Sequence, residues 1–319
     1  MASTSSQSVH TKAHVVVAED KAERKRAHLR VLVTSATSPT ARTIASAVSQ
    51  GVVFGYDQPL ILHLYDVPGS MGGLEGLTLE LLDSTYPLLR QVVMATVEES
   101  AFHDIDAAFL LYPNAEAPVG DSIRLFQSYG AALDKYAKKS VKVVCCGVNA
   151  AINAYACIRS APSIDSRNIT ALSRLEHNQA LAQIASKLAV APNKVRNVVV
   201  WGGQGYVPDA HQATFFHRDT LLPVIETLKD DKSKAACDHM RDWWQGTPEG
   251  TWVSMGVVSN GAYGVPKGIV YSFPVHINAD KEWEIVENID LNPATKKRVD
   301  ECTRNTVTLL QSAIPGVVA

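Results

Sequence analysis

The sequence has no CxxC pair and no even cysteine framework; its five cysteines, Cys145, Cys146, Cys157, Cys237 and Cys302, are scattered through the chain. That excludes a small disulfide-stapled secreted domain and a Cys-based zinc site, and points to reduced thiols in an intracellular protein. No apolar run approaches the roughly 18 residues of a membrane helix, and Val15-Val16-Val17 is too short for the core of a signal peptide. The C-terminus, Pro315-Gly316-Val317-Val318-Ala319, carries no peroxisomal address. Charge of one sign is missing as well: Lys+Arg 30 against Asp+Glu 32 leaves a net charge of -2, so no global field invites nucleic acid or an anionic membrane. A cytoplasmic location, with no metal, nucleic-acid or membrane partner, is the expectation. What remains is a chain of 319 residues, 46% of them hydrophobic, enough to bury a large core.

Residues 1–28 form an extension: Ser and Thr dominate Met1 to Thr11, and Glu19 to His28 is a charged run. It reads as a flexible tail with a solvated helix or linker, with docking of a protein partner as the other reading. From Leu29 onward, short β-branched runs alternate with helix-period stretches. Leu29 to Val33, Leu60 to Tyr65, Ala107 to Leu111 and Val141 to Cys146 are strand candidates. Ala41, Ile44, Ala45 and Val48 repeat at helical spacing, and Gly130 to Lys139 has helix-forming composition. Short buried strands separated by helices predict a doubly wound parallel sheet covered on both faces, here over residues 29–155. Across 156–319 the pattern turns α+β. Helices are expected over Arg174 to Val190 and Ser233 to Trp244, and a strand over Asn197 to Trp201. Trp252 to Val258 and Gly268 to Val275 read as antiparallel strands around the turn Asn260 to Gly264.

Several segments carry a resemblance. They are Val52-Val53-Phe54-Gly55-Tyr56-Asp57-Gln58-Pro59, the stretch Gly130 to Lys142, and Ser160-Ala161-Pro162-Ser163-Ile164. Gly246-Thr247-Pro248-Glu249-Gly250, Val253 to Gly256, Tyr263 to Pro266 and Tyr271 to Val275 join them in order. Together they resemble the cytosolic type of malate dehydrogenase, within the lactate/malate dehydrogenase superfamily. The resemblance implies a Rossmann half that binds NAD, a second half that holds a 2-hydroxy acid, and a homodimer.

The positions that would do this work are unusual. Where the family carries a GxxGxxG phosphate loop, so that backbone N–H groups approach a diphosphate with no Cβ in the way, this chain has Ser35, Ser38 and Ala41, with Pro39 after Ser38. Ser38-Pro39 is also a good helix start, a cap followed by a first-turn proline. Asp66 ends the second strand where the family places the carboxylate for the adenosine ribose, though a strand-end Asp is equally a turn residue. The family's substrate-clamping arginines are missing from Tyr112 to Asp121, which instead holds Glu116 and Asp121; Arg124 reads as a helix-surface residue. Val148 replaces an asparagine of the nicotinamide strand, leaving Asn149 one position away.

The proton-transfer pair is altered too. Glu176 stands at the carboxylate position, and Gln179 replaces an arginine. In Trp201-Gly202-Gly203-Gln204, Gln204 takes the place of the proton-transfer histidine, and an amide has no pKa near neutrality. His177, His211 and His217 are the nearby imidazoles, with a surface or packing role favoured for His211. Only Leu221 to Ser233 bridges the gap between Phe215 and Cys237, so part of a pocket wall is expected to be missing. The whole reads as a malate dehydrogenase-like protein without catalytic residues, with a structural, regulatory or interaction role. The alternative is an NAD(P)-dependent oxidoreductase acting on malate, oxaloacetate or another 2-hydroxy acid. NAD is the cofactor implied; Ser35, Ser38, Ala41, Asp66 and Asn149 are its candidate contacts, set against a loop poor in glycine.

Overall fold

The computed structural model describes residues 13–16, 27–112, 118–215 and 231–314. Its first half follows from runs such as Ala-Ala-Phe-Leu-Leu, which is buried at every position and therefore needs cover on both faces. The elements in order are β1 (Ala13–Val16), β2 (Leu29–Thr34), α1 (Pro39–Ser49), β3 (Leu60–Tyr65), α2 (Met71–Asp83), β4 (Leu89–Ala95), α3 (Glu98–Phe102) and β5 (Ala107–Leu111). There follow α4 (Val119–Tyr136), β6 (Lys142–Cys146), α5 (Ala150–Arg159), β7 (Ile169–Ala171) and α6 (Arg174–Leu188). Next come β8 (Val195–Arg196), β9 (Val199–Trp201), β10 (Val207–Asp209), β11 (Thr214–Phe215) and α7 (Asp231–Gln245). The chain closes with β12 (Val253–Val258), β13 (Val270–Ile277), β14 (Trp283–Ile285) and α8 (Pro293–Ala313).

One ten-stranded sheet runs β1-β4-β3-β2-β5-β6-β7-β12-β13-β14. From β4 to β7 the neighbours are parallel, the arrangement of a doubly wound Rossmann-like sheet. β12, β13 and β14 continue it antiparallel and give the C-terminal part its α/β character. Two small two-stranded antiparallel sheets, β9 with β10 and β8 with β11, lie outside that sheet. Within the extension 1–28, Ala13–Val16 forms a strand antiparallel to β4 at the sheet edge, which the sequence reading did not foresee. α5 runs across residue 155, where the two halves were expected to divide.

Strand order reverses between β3 and β5 on either side of β2, and a crevice must open at the C-terminal ends of β2 and β5. Helix starts are fixed around it. Ser38 caps α1 by accepting from the Ala41 N–H at 3.2 Å, and Pro39 occupies the first turn, where a missing N–H costs nothing. At α8, Asn292 caps Thr295 at 2.8 Å ahead of Pro293. α4 and α5 meet at Gly130, where a Cβ would lie 2.4 Å from the Cys157 carbonyl oxygen, so only glycine permits that approach.

α6 and α7 enclose a charged cluster. Asp238, 4% exposed, accepts from Arg241 at 2.7 Å and Asn178 at 3.0 Å and pairs with Lys234, while Arg174 reaches Asp242 at 2.7 Å. All five cysteines are free thiols and all are buried. Among the described residues no helix is long and apolar enough to cross a membrane, and no group of three or more metal-ligating side chains gathers.

Candidate functional site

A cavity of about 480 Å³ occupies the crevice. Its floor is the start of α1 (Ser38, Pro39, Thr40), the end of β5 (Leu111, Tyr112) and the segment Cys146–Asn149 after β6. The opposite wall is Leu172, Leu175 and Glu176 around the start of α6, with the loop Gly203–Tyr206 after β9; Lys232 lines it too and is exposed. The structure therefore brings together Ser38, Asn149, Glu176 and Gln204 from the expected set. Ser35, Ala41 and Asp66 do not line the cavity. Sequence reading missed Tyr206, Lys232 and the anchor Thr306, for which the only signal was the glycine run at 202, 203 and 205.

The loop after β2 is held by its own side chains. Ser35 adopts φ 49°, the left-handed region that favours glycine, and donates its hydroxyl to the Leu111 carbonyl at 3.2 Å. Thr34 ties to the same residue, accepting from Leu111 N–H at 2.8 Å. Pro39 has no N–H, and the Ala41 N–H is taken by Ser38. Asp66 accepts the Thr37 N–H at 2.9 Å and the Thr37 hydroxyl at 2.6 Å on one oxygen, and the Val67 N–H at 2.8 Å on the other. At 9% exposure it is a loop clamp in this structure. Asp66→Ala is expected to cost about 2 kcal/mol in urea unfolding, because two backbone donors and a hydroxyl lose a charged acceptor. If its work were ribose binding, stability would stay unchanged and only nucleotide affinity would fall.

Asn149 begins α5 at φ 60° without a side-chain cap, and its neighbour Val148 is 49% exposed at the cavity. Of the arginine-poor segment, 113–117 lie outside the described residues, as does His217. Arg124 pairs with Asp121 on the exposed face of α4.

On the opposite wall Glu176 and Gln204 both line the cavity, with no hydrogen bond between their buried oxygens. Glu176 Oε2 and Gln204 Oε1 are buried, and neither has a hydrogen-bond partner. Burial pushes the Glu176 carboxyl above its ordinary 4.5, only partly offset by a backbone hydrogen bond. The raised value fixes the sign of a pH effect. The penalty for ionising Glu176 is absent below about pH 4.5, and it grows as pH rises through the ordinary value toward the folded one. Glu176→Gln removes that penalty. Its melting temperature should exceed the parent's by on the order of 1–2 °C at pH 8, with the gap closing by about pH 4.

Gln204 is set rigidly. Its N–H donates to Thr306 Oγ1 at 2.8 Å, and its carbonyl accepts from the Cys302 thiol at 3.3 Å, both on α8. Gly202, at φ 146°, would place a Cβ 2.1 Å from the Gly205 oxygen, and a Cβ on Gly203 would lie 2.6 Å from Thr306 Cγ2. Tyr206 donates to the Leu172 carbonyl at 3.4 Å, and burial, followed by the Glu176 charge, holds its phenol protonated.

No histidine lines the cavity among the described residues. His177 is buried beside Ser254 Oγ at 3.0 Å and held far below its ordinary value by burial and then by Arg174. His211 turns to Asp209 at 2.7 Å and to Asn292, with its side chain 56% exposed. Neither can take a proton inside the cavity as it stands.

The profile of the lactate/malate dehydrogenase alpha/beta C-terminal domain matches residues 232–314. Cytoplasmic malate dehydrogenase of Homo sapiens is 41% identical over 311 residues, covering 85% of this chain and 93% of that one. Among solved structures, malate dehydrogenase from Naegleria fowleri superposes with a TM-score of 0.83 at 26% identity, covering 92% of this chain and 99% of that one. Lactate dehydrogenase from Trichomonas vaginalis, in complex with NADH and oxamate, gives 0.82 at 29% identity, covering 90% and 98%.

Proposed function

Because the chain belongs to the lactate/malate dehydrogenase family, close to its cytosolic malate dehydrogenases, we propose that it is a member that no longer transfers hydride to a 2-oxo acid and serves a regulatory or interaction role. One observation carries this reading. At the cavity wall Glu176 and Gln204 each have a buried oxygen with no partner, which supports reading Gln204 as the residue that replaces the base. A primary amide neither takes up nor releases a proton near neutral pH. No arginine among the described lining residues offers a bidentate grip on a carboxylate.

The dinucleotide named with the Trichomonas vaginalis relative fits this chain poorly at its diphosphate and ribose positions. Ser38 has claimed the Ala41 N–H, Pro39 supplies none, and Asp66 already accepts three hydrogen bonds from Thr37 and Val67. We therefore propose no hydride step. The names of its relatives support a cytosolic location, and the family assignment supports a homodimer of chains, each with residues 29–155 and 156–319 as its two halves.

The test is an assay of full-length protein with NADH and oxaloacetate, pyruvate or aryl-pyruvates, beside a cytoplasmic malate dehydrogenase. The expected kcat/KM is at least about 10⁴-fold lower than the comparison enzyme, since acid–base and electrostatic groups are lost together. Calorimetry with NADH should show no saturable heat at a Kd tighter than about 1 mM. Turnover within an order of magnitude of the relative overturns the proposal.

A second reading, an NAD(P)-dependent oxidoreductase of altered specificity, is favoured by one feature. The cavity retains a size suited to a small molecule and holds a carboxyl, Glu176, with a raised pKa. Turnover of any one 2-oxo acid that disappears in Glu176→Gln would establish it.

A further inference from the structure

The cavity is too specifically lined to be an empty relic. Its body is apolar, built from Leu111, Tyr112, Cys146, Val148, Leu172 and Leu175. Two residues of its wall, Glu176 and Gln204, each carry a buried oxygen without a partner, Oε2 and Oε1. Leaving such an acceptor buried and unmatched typically costs about 1–3 kcal/mol, and a ligand that donates to it recovers that cost. The backbone that carries these side chains is held in place: the Gln204 N–H and carbonyl are pinned by Thr306 and Cys302 on α8, and Glu176 sits in the first turn of α6. The terminal torsion of a glutamate is broad, so a small rotation turns Oε2 toward the cavity.

Charge favours the same class of ligand. Glu176 repels a carboxylate, and the one cation among the described lining residues, Lys232, is exposed beside the start of α1. A carboxyl beside an apolar body, with no arginine among the described lining residues, is the inverse of a site for a small dicarboxylate.

We propose that this cavity binds a small aromatic or alicyclic amine or amidine, its ring against Leu111, Leu172 and Leu175 and its N–H donors on Glu176 and Gln204. The proposal rests on the reading that the site has lost its 2-oxo acid. Burial raises the free carboxyl above its ordinary value, and a bound cation at that oxygen relieves the strain on its ionised form.

Calorimetric titration of the full-length protein with benzamidine, benzylamine, benzoate and oxamate at pH 8 tests it. Saturable binding of benzamidine with a Kd tighter than about 1 mM is expected, with benzoate and oxamate at least about tenfold weaker. Glu176→Gln and Gln204→Leu should each weaken benzamidine by about tenfold or more while melting cooperatively, a loss of roughly 1.4 kcal/mol or more. If Glu176→Gln fails to fold, Gln204→Leu and the anion comparison still decide. The proposal is overturned by tighter binding of oxamate or benzoate, by no saturable benzamidine heat, or by an unchanged Kd in folded variants. Failure here leaves the absence of dehydrogenase turnover intact, whereas turnover with oxaloacetate removes the parent reading whatever the amines do.

Discussion

Asp238→Ala should lower the unfolding free energy by about 2 kcal/mol, because it strips the buried acceptor shared by Arg241, Lys234 and Asn178, with the loss moderated by solvent at the partly exposed Arg241 and Lys234. Breaking one member of a partly buried ionic group costs more than the group contributes to the extent that the remaining charges, here chiefly Arg174 and Arg241, stay shielded from water. Burial alone would raise the Asp238 carboxyl, but Arg174, Arg241 and Lys234 outweigh it and hold the group below its ordinary 3.8. Its contribution is therefore present above about pH 3.8 and is lost as pH falls through the lower, folded value. Urea melts of the parent and Asp238→Asn should differ most near pH 7 and converge on acidification. A gap that widens toward low pH would contradict the assignment. The effect would reach the cavity, because α6 carries both Arg174 and Glu176 and is packed on α7 through this cluster.

Gly130→Ala should cost somewhat more, about 3 kcal/mol, and unlike Asp238→Ala it should do so at every pH. The added carbon would lie 2.4 Å from the Cys157 carbonyl oxygen and 2.9 Å from Ser160 Cβ, so α4 and α5 must separate. α5 begins at Asn149, on the cavity floor, and its displacement should also open that floor. Chemical unfolding together with benzamidine affinity would check both consequences. A variant as stable as the parent would mean that the helices part without loss.

The sheet was legible because its strands are buried on both faces. Leu60 to Tyr65 and Ala107 to Leu111 match the observed bounds, and Leu29, Val141, Ser233 and Trp252 lie within two residues of true element starts. α2 and β4 were not read, since Met71-Gly72-Gly73-Leu74 opens with glycines and Leu89-Arg90-Gln91-Val92 interrupts its apolar pattern. α8 was passed over for a related reason: its polar surface is long, and only Thr295, Val299, Cys302, Thr306 and Leu310 face inward.

At the site, residue type was readable and commitment was not. That an amide such as Gln204 cannot relay a proton near neutral pH follows from its chemistry. That Asp66 accepts three hydrogen bonds from Thr37 and Val67 depends on a loop conformation set by Ser35 at a positive φ and by the hydrogen bonds to Leu111. The contact of Thr306 with Gln204 joins residues 102 positions apart, a separation that no local pattern carries.

The burial of all five thiols has a consequence for the chemical lifetime of the protein. Burial pushes the thiols of Cys145, Cys146 and Cys237 far toward the neutral form, and a neutral thiol shielded from solvent is a poor nucleophile. In the folded state, oxidants and electrophiles thus meet Cys146 at the cavity wall only as a neutral thiol, and Cys145 and Cys237 lie out of their reach. The rate at which the chain ages by sulfur chemistry is then the rate at which it opens, making covalent damage a property of conformational breathing rather than of any single side chain.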